Sequence, residues 1–159
     1  SGNWRHGPVS LVSALTWMEA EYLDAFQTCA RAGCPNVFPR VTVPAGNRIP
    51  GLPMQQAFVQ ATWDTGWAGS RVVFETRHVG RVMVNDQNSD SAVGHTLFNL
   101  GVHFKQDRGD WTLREFIRVD NLTDRRHVGS VIVNDGNSRF FEPGLGRKLL
   151  VGLEAQRRF

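Results

Sequence analysis

The 159-residue chain has no unbroken apolar run near the roughly 18 residues that a transmembrane helix needs. If it crosses a membrane, it does so with strands. It opens Ser1-Gly2-Asn3-Trp4-Arg5-His6, without the apolar stretch of a secretory signal. An exported protein with this sequence is therefore expected to be a mature form or a fragment. It also lacks a basic cluster. Eighteen Lys and Arg face 15 Asp and Glu for a net charge of +3, and the arginines are scattered. Nucleic-acid binders gather their cations on one helix or stripe, so no nucleic-acid partner is expected. Walker A, Rossmann and H-E-x-x-H patterns are missing. None of the histidines, His6, His78, His95, His103 and His127, falls near a G-x-S-x-G nucleophile motif. Gly144-Leu145-Gly146-Arg147 precedes a strand pattern rather than a helix, which excludes a phosphate loop. Neither a catalytic group nor a cofactor is expected, and the chain reads as a non-enzyme.

Cysteine is scarce: only Cys29 and Cys34, with Gly33 and Pro35 beside the second. This spacing suits a short loop closed by a disulfide in an oxidising compartment. A metal pair is the alternative, but two thiolates without further ligands make a poor zinc site.

What the sequence does have is alternation. In residues 148–159, Leu149, Val151, Leu153, Ala155, Arg157 and Phe159 share one face, opposite Leu150, Gly152, Glu154, Gln156 and Arg158. In 96–105, Phe98, Leu100, Val102 and Phe104 oppose Asn99, Gly101, His103 and Lys105. In 71–84, Val72, Phe74, Val82 and Val84 oppose Arg71, Glu75, Arg77 and Arg81. In 55–63, Ala57, Val59, Ala61 and Trp63 oppose Gln56, Gln60 and Thr62. Residues 9–22 alternate more loosely. In 111–122, Trp111, Leu113, Ile117 and Val119 oppose Arg114, Arg118 and Asp120, and Glu115 breaks the apolar face without a reason visible in the sequence. These are about six strands, each near or above the 9–11 residues that a membrane strand requires and longer than ordinary globular strands.

The links alternate too. Asp64-Thr65-Gly66 and Asp107-Arg108-Gly109-Asp110 are short and rich in turn formers. Residues 23–53, 85–94 and 123–146 are long. Outer-membrane barrels pair short periplasmic turns with long extracellular loops, which sets Phe159 on the periplasmic side. Trp63, Trp67 and Trp111 flank the short turns, where an interfacial girdle belongs. The polar sides of the strands would form a lumenal charge ladder of Arg71, Arg77, Arg81, Arg114 and Arg118 with Glu75 and Asp120. Such a ladder serves mutual pairing across strands or a path for an anionic solute.

One internal echo stands out. His78-Val79-Gly80-Arg81-Val82-Met83-Val84-Asn85-Asp86-Gln87-Asn88-Ser89 matches His127-Val128-Gly129-Ser130-Val131-Ile132-Val133-Asn134-Asp135-Gly136-Asn137-Ser138. Asn85, Asp86, Asn134 and Asp135 are candidates for a loop-borne ligand cluster. The plainer reading is that such residues favour turns without any ligand.

Three stretches carry a family resemblance: Val43-Pro44-Ala45-Gly46-Asn47-Arg48-Ile49-Pro50-Gly51-Leu52-Pro53 before the strand at Gln55; Val119-Asp120-Asn121-Leu122-Thr123-Asp124-Arg125-Arg126-His127-Val128-Gly129; and Phe140-Phe141-Glu142-Pro143-Gly144-Leu145-Gly146-Arg147 with the closing strand to Phe159. In this order the chain resembles the C-terminal barrel segment of TonB-dependent outer-membrane receptors of the siderophore type. The resemblance implies an all-β, antiparallel up-and-down transmembrane barrel segment, about six strands of a 22-stranded barrel. Residues 1–159 would be the C-terminal part, with the plug domain and N-terminal strands absent. It implies import of a ferric siderophore or similar scarce nutrient as substrate, energised by TonB through the absent N-terminal region. Its partners would be outer-membrane lipid, the rest of the receptor and the barrel-assembly machinery, which reads Phe159. Six strands are too few to close a bacterial barrel, whose range starts at eight, so two unpaired edges are expected. Two rival architectures remain at this point. A small complete outer-membrane barrel with lipid-modifying activity needs two more strands, for which Val131-Ile132-Val133 is a candidate. A soluble lipocalin-like binder needs an apolar interior and a polar exterior.

Overall fold

A computed structural model describes residues 1–29 and 40–158. Its strands begin with β1 (Gly2–His6), β2 (Val9–Trp17), β3 (Phe26–Cys29), β4 (Arg40–Val43), β5 (Gln55–Asp64), β6 (Ser70–Val79) and β7 (Val82–Met83). They continue with β8 (Ser91–Ala92), β9 (His95–Arg108), β10 (Trp111–Asp120), β11 (Val128–Val131), β12 (Phe141–Pro143) and β13 (Lys148–Arg157). Seven of them form one antiparallel sheet in the order β1-β2-β5-β6-β9-β10-β13, which is simply chain order. This is an up-and-down wall, held by ladders nine or ten residues long between most neighbours. The pairs β3-β4, β7-β8 and β11-β12 form small hairpins within the long links.

The alternation read from sequence holds across the register. Cross-strand partners share a face. Through Leu11↔Ala61, Ala61↔Phe74, Phe74↔Leu100, Leu100↔Val119 and Val119↔Leu149, one apolar band runs across six strands. Glu115 sits in that band, between Phe104 and Leu153. The other face carries Gln60, Glu75, Asn99, Arg118 and Lys148, and a cavity of about 890 Å³ lies against it. The concave side is thus polar and the outer side apolar, the reverse of a lipocalin.

Exposure makes the same point. Leu15, Leu149, Val151 and Leu153 are each at least 67% exposed, and the only buried apolar residues described are Val43, Val84 and Ala92. All three belong to the loop layer. The chain exposes 11097 Å², whereas a soluble monomer of its mass exposes about 8,000 Å². The wall encloses no apolar core of its own, and its outer face is left as an exposed apolar band.

The structure corrects several expectations. The wall has seven strands, not about six. β1 escaped notice because it is short and carries one large apolar residue, Trp4. It turns into β2 through Gly7-Pro8, with Gly7 at φ 54. Gly109, at φ 60, starts the equally tight β9-β10 turn. Both place glycine at the first central position, which suits a two-residue hairpin. Residues 71–84 are not one strand: the ladder stops at Val79, and Val82–Met83 pairs with β8 instead. Val84 is buried in the loops rather than facing outward. The strand read over 9–22 ends at Trp17, and β9 runs three residues past Lys105. Val131 pairs with Phe141 in the β11-β12 hairpin, outside the wall. It adds no wall strand, and β1 and β13 each keep an unpaired edge among the described residues. The small complete barrel is therefore ruled out for this sheet.

Candidate functional site

On the concave face, β6, β9 and β10 bring four polar side chains into one chain of contacts. Arg118 Nη2 donates to Glu75 Oε2 at 2.5 Å and its Nε donates to Asp120 Oδ1 at 2.6 Å. Asn99 Nδ2 donates to the same Glu75 oxygen at 3.3 Å, and its Oδ1 accepts from Asn121 N at 2.9 Å. Arg118 lies opposite Gly101, and Glu75 opposite Asn99. The guanidinium thus reaches past β9 to Glu75 on β6. Lower on the same face, Arg71 pairs with Asp64 and Arg114 with Glu154, each at 2.6 Å. Of the arginines expected to line this face, Arg71, Arg114 and Arg118 thus meet carboxylates. Arg77 lines the cavity, and Arg81 lies beyond the strand end.

The girdle forms at the short-turn end. Trp4, Trp63, Trp67 and Trp111 are there, each about half exposed or more. Trp67 packs edge-on to Phe104, and Arg157 lies over the Trp111 ring at 5.9 Å. Trp17 stands at the opposite end of β2. The two levels are separated by the length of β2, about 27 Å along the strand.

Of the four loop candidates, the structure brings two together. Asp86 Oδ1 accepts from the Tyr22 hydroxyl at 2.7 Å, and its Oδ2 accepts from Asn134 Nδ2 at 2.9 Å. Asp86 N donates to Asn134 Oδ1 at 3.0 Å, and Asn47 Nδ2 donates to Asp86 O at 2.8 Å. Burial, and then the Asp86 carboxylate, push the Tyr22 hydroxyl up from 10.0 to about 12. Asn85 and Asp135 stay local. Asn85 exchanges bonds with Ser89, and Asp135 Oδ2 accepts from the backbone of Asn137 and Arg139. Beside this knot, Asn88 and Arg48 exchange a reciprocal pair of 2.8 Å bonds. The result ties all three long loops into one layer over the strand ends. Tyr22 and Asn47 were not foreseen; their partners lie 64 and 39 residues away, and no local pattern marks them, whereas Asn88 belongs to the Asn-Asp-x-Asn-Ser run read as a turn.

Cys29 ends β3, and no cysteine among the described residues is free. Cys34 and Phe159 lie outside the described residues. His103 faces the lumen, as expected, and stacks on Phe116 with centroids 5.9 Å apart.

No family model matches the chain. Two solved structures share its fold. The siderophore receptor PiuA from Acinetobacter baumannii matches with a TM-score of 0.77 at 15% identity, over 97% of this chain and 20% of that one. BauA, the ferric preacinetobactin receptor from the same organism, matches with a TM-score of 0.57 at 15% identity, over 92% of this chain and 26% of that one. The chain spans about a fifth to a quarter of the length of these receptors. Its antiparallel, all-β fold is that of a segment of a siderophore-receptor barrel: wall strands with their loops.

Proposed function

We propose that this chain forms part of the wall and outer mouth of a TonB-dependent outer-membrane receptor that imports a ferric siderophore or a similar scarce nutrient. The carrying observation is the inverted polarity of the sheet, apolar outside and ion-paired inside, on a fold shared with two siderophore receptors. In this reading residues 1–159 are the C-terminal part of a 22-strand-type barrel. The plug and the earlier strands complete the lumen and cover the edges of β1 and β13. The short turns face the periplasm, the assembly machinery engages Phe159, and a disulfide joins Cys29 to Cys34. The protein works by binding and translocation rather than by catalysis. Asp86 and Asn134 act as the frame of the mouth, holding the loops that contact the solute.

The test is uptake of iron supplied as ferric siderophores by cells that depend on the full-length protein. Uptake should vanish on its deletion and on loss of TonB. Uptake that persists without TonB removes the energisation step, and failure to transport any ferric chelate removes the substrate class.

A further inference from the structure

A second group of basic side chains gathers beside the lumenal cavity. A cleft of about 590 Å³ between the second and third long loops is lined by His95, Arg125, Arg126 and His127, with Val93 and Phe141. Gly129, Ser130 and Glu142 of the β11-β12 hairpin line the lumenal cavity, Val128 and Phe141 line this cleft, and His127 borders both. Arg125 and Arg126 line the cleft and not the lumenal cavity. Its one acidic lining residue, Asp90, accepts a bond at 2.7 Å from the adjacent Ser91 N.

Three of the lumenal arginines are paired, whereas Arg77 has no carboxylate within 4.0 Å among the described residues. Arg71, Arg114 and Arg118 each lie 2.5–2.6 Å from a carboxylate. Among the described residues, neither Arg125 nor Arg126 has a carboxylate within 4.0 Å. Their backbone is nevertheless fixed. Asn121, buried and at φ 51, accepts from Arg125 N at 2.9 Å and donates to Arg125 O at 3.0 Å. His127 is fixed too: Nδ1 lies 3.1 Å from Arg125 O, and the ring lies 4.5 Å from that of His95. The ring occupies the space a Cβ at Gly144 would need. Two guanidinium groups on a clamped backbone, beside two imidazoles, present more positive charge than one carboxylate would balance. A phosphate dianion with three oxygens suits this arrangement, since guanidinium forks bind phosphate bidentately.

We propose that this cleft binds a phosphomonoester group, carried by a lipid head group or free in solution. The exposed Val93 and Phe141 place apolar surface beside the cations, as an anionic amphiphile requires. The site stands on the loop geometry and does not depend on the import reading.

The experiment titrates the full-length protein in zwitterionic-detergent micelles by calorimetry. One arm uses inorganic phosphate, and another uses micelles doped with phosphatidic acid, with phosphatidylcholine as the diester control. The double variant Arg125→Gln/Arg126→Gln should weaken binding by about tenfold or more, as loss of charged hydrogen bonds predicts. Arg81→Gln, outside the cleft, should leave binding unchanged. Unaltered heat-modifiable migration confirms that each variant is folded. Binding of both probes supports a site for phosphate itself, and binding of phosphatidic acid alone supports a head-group site. Absence of both, or binding that survives the double variant, overturns the proposal.

Discussion

Asp86 and Asn134 hold each other by two hydrogen bonds across 48 residues of chain, Asp86 N to Asn134 Oδ1 at 3.0 Å and Asn134 Nδ2 to Asp86 Oδ2 at 2.9 Å. They occupy neighbouring places in the internal echo, so the second copy of the motif clasps the first. Asn134 adopts φ 57, which asparagine tolerates better than most residues. Asn134→Gly keeps that backbone and deletes only the clasp. It should raise protease cleavage and amide exchange in all three long loops, with a local loss of about 1–3 kcal/mol. Heat-modifiable migration of the wall should stay the same. Loops as protected as before would show that the clasp does not hold them.

Tyr22 gives a pH test, because it is the only tyrosine in the chain. Its hydroxyl is raised from 10.0 to about 12, so the folded state keeps the proton more tightly than the unfolded state. Its contribution is fully present below pH 10 and is lost as pH rises towards about 12. Phenolate absorbance should rise late in the native protein and earlier in Asp86→Ala, yet still above the ordinary tyrosine value because burial remains. Coincident titrations would disprove the link to Asp86.

Neighbouring residues on β13 test which side meets lipid. Val151 stands opposite Ile117 on the apolar band, and Leu150 stands opposite Arg118 on the lumenal face. Val151→Arg should cost roughly 2–4 kcal/mol in folding into vesicles, as measured for outward cations near the midplane. Leu150→Arg should be far milder. Equal penalties would contradict the assigned faces. By the same reasoning, Glu115→Leu should stabilise the inserted protein.

Gly152 faces Phe116 across the β10-β13 ladder, and a Cβ there would fall 2.2 Å from the Phe116 ring. Gly152→Ala should destabilise by about 1–3 kcal/mol through overpacking. Adding Phe116→Leu should recover part of that loss, a coupling of roughly 0.5–3 kcal/mol read by a double-mutant cycle. Strictly additive effects would show that the ring does not depend on the glycine.

The wall was legible because strand period and register are local and repetitive. Once Leu100 and Val119 are known to alternate, their pairing follows. Turn residues fixed most ends, but Gly80, which stops β6, looked like one more member of an alternating run. There its Cβ would stand 3.2 Å from the backbone of Gln55, a crowding that no sequence pattern displays. The charge ladder was legible as a face. Its partners were not, since Arg118 on β10 reaches Glu75 on β6, two strands away. The loop knot was least visible: the Asn-Asp pairs were noticed, yet which of them met was decided by contacts between distant loops.

The buried aliphatic side chains described, Val43, Val84 and Ala92, all lie in the loop layer. The molecule is therefore built for two solvents. The loops enclose a small dry interior and knot themselves with side-chain amides, so they can keep their shape in water. In the receptor reading proposed above, the wall takes its apolar surroundings from hydrocarbon on its outer face. Exchanging one amphiphile for another should shift the melting of the wall and leave that of the loops in place, so a single unfolding temperature does not describe this protein.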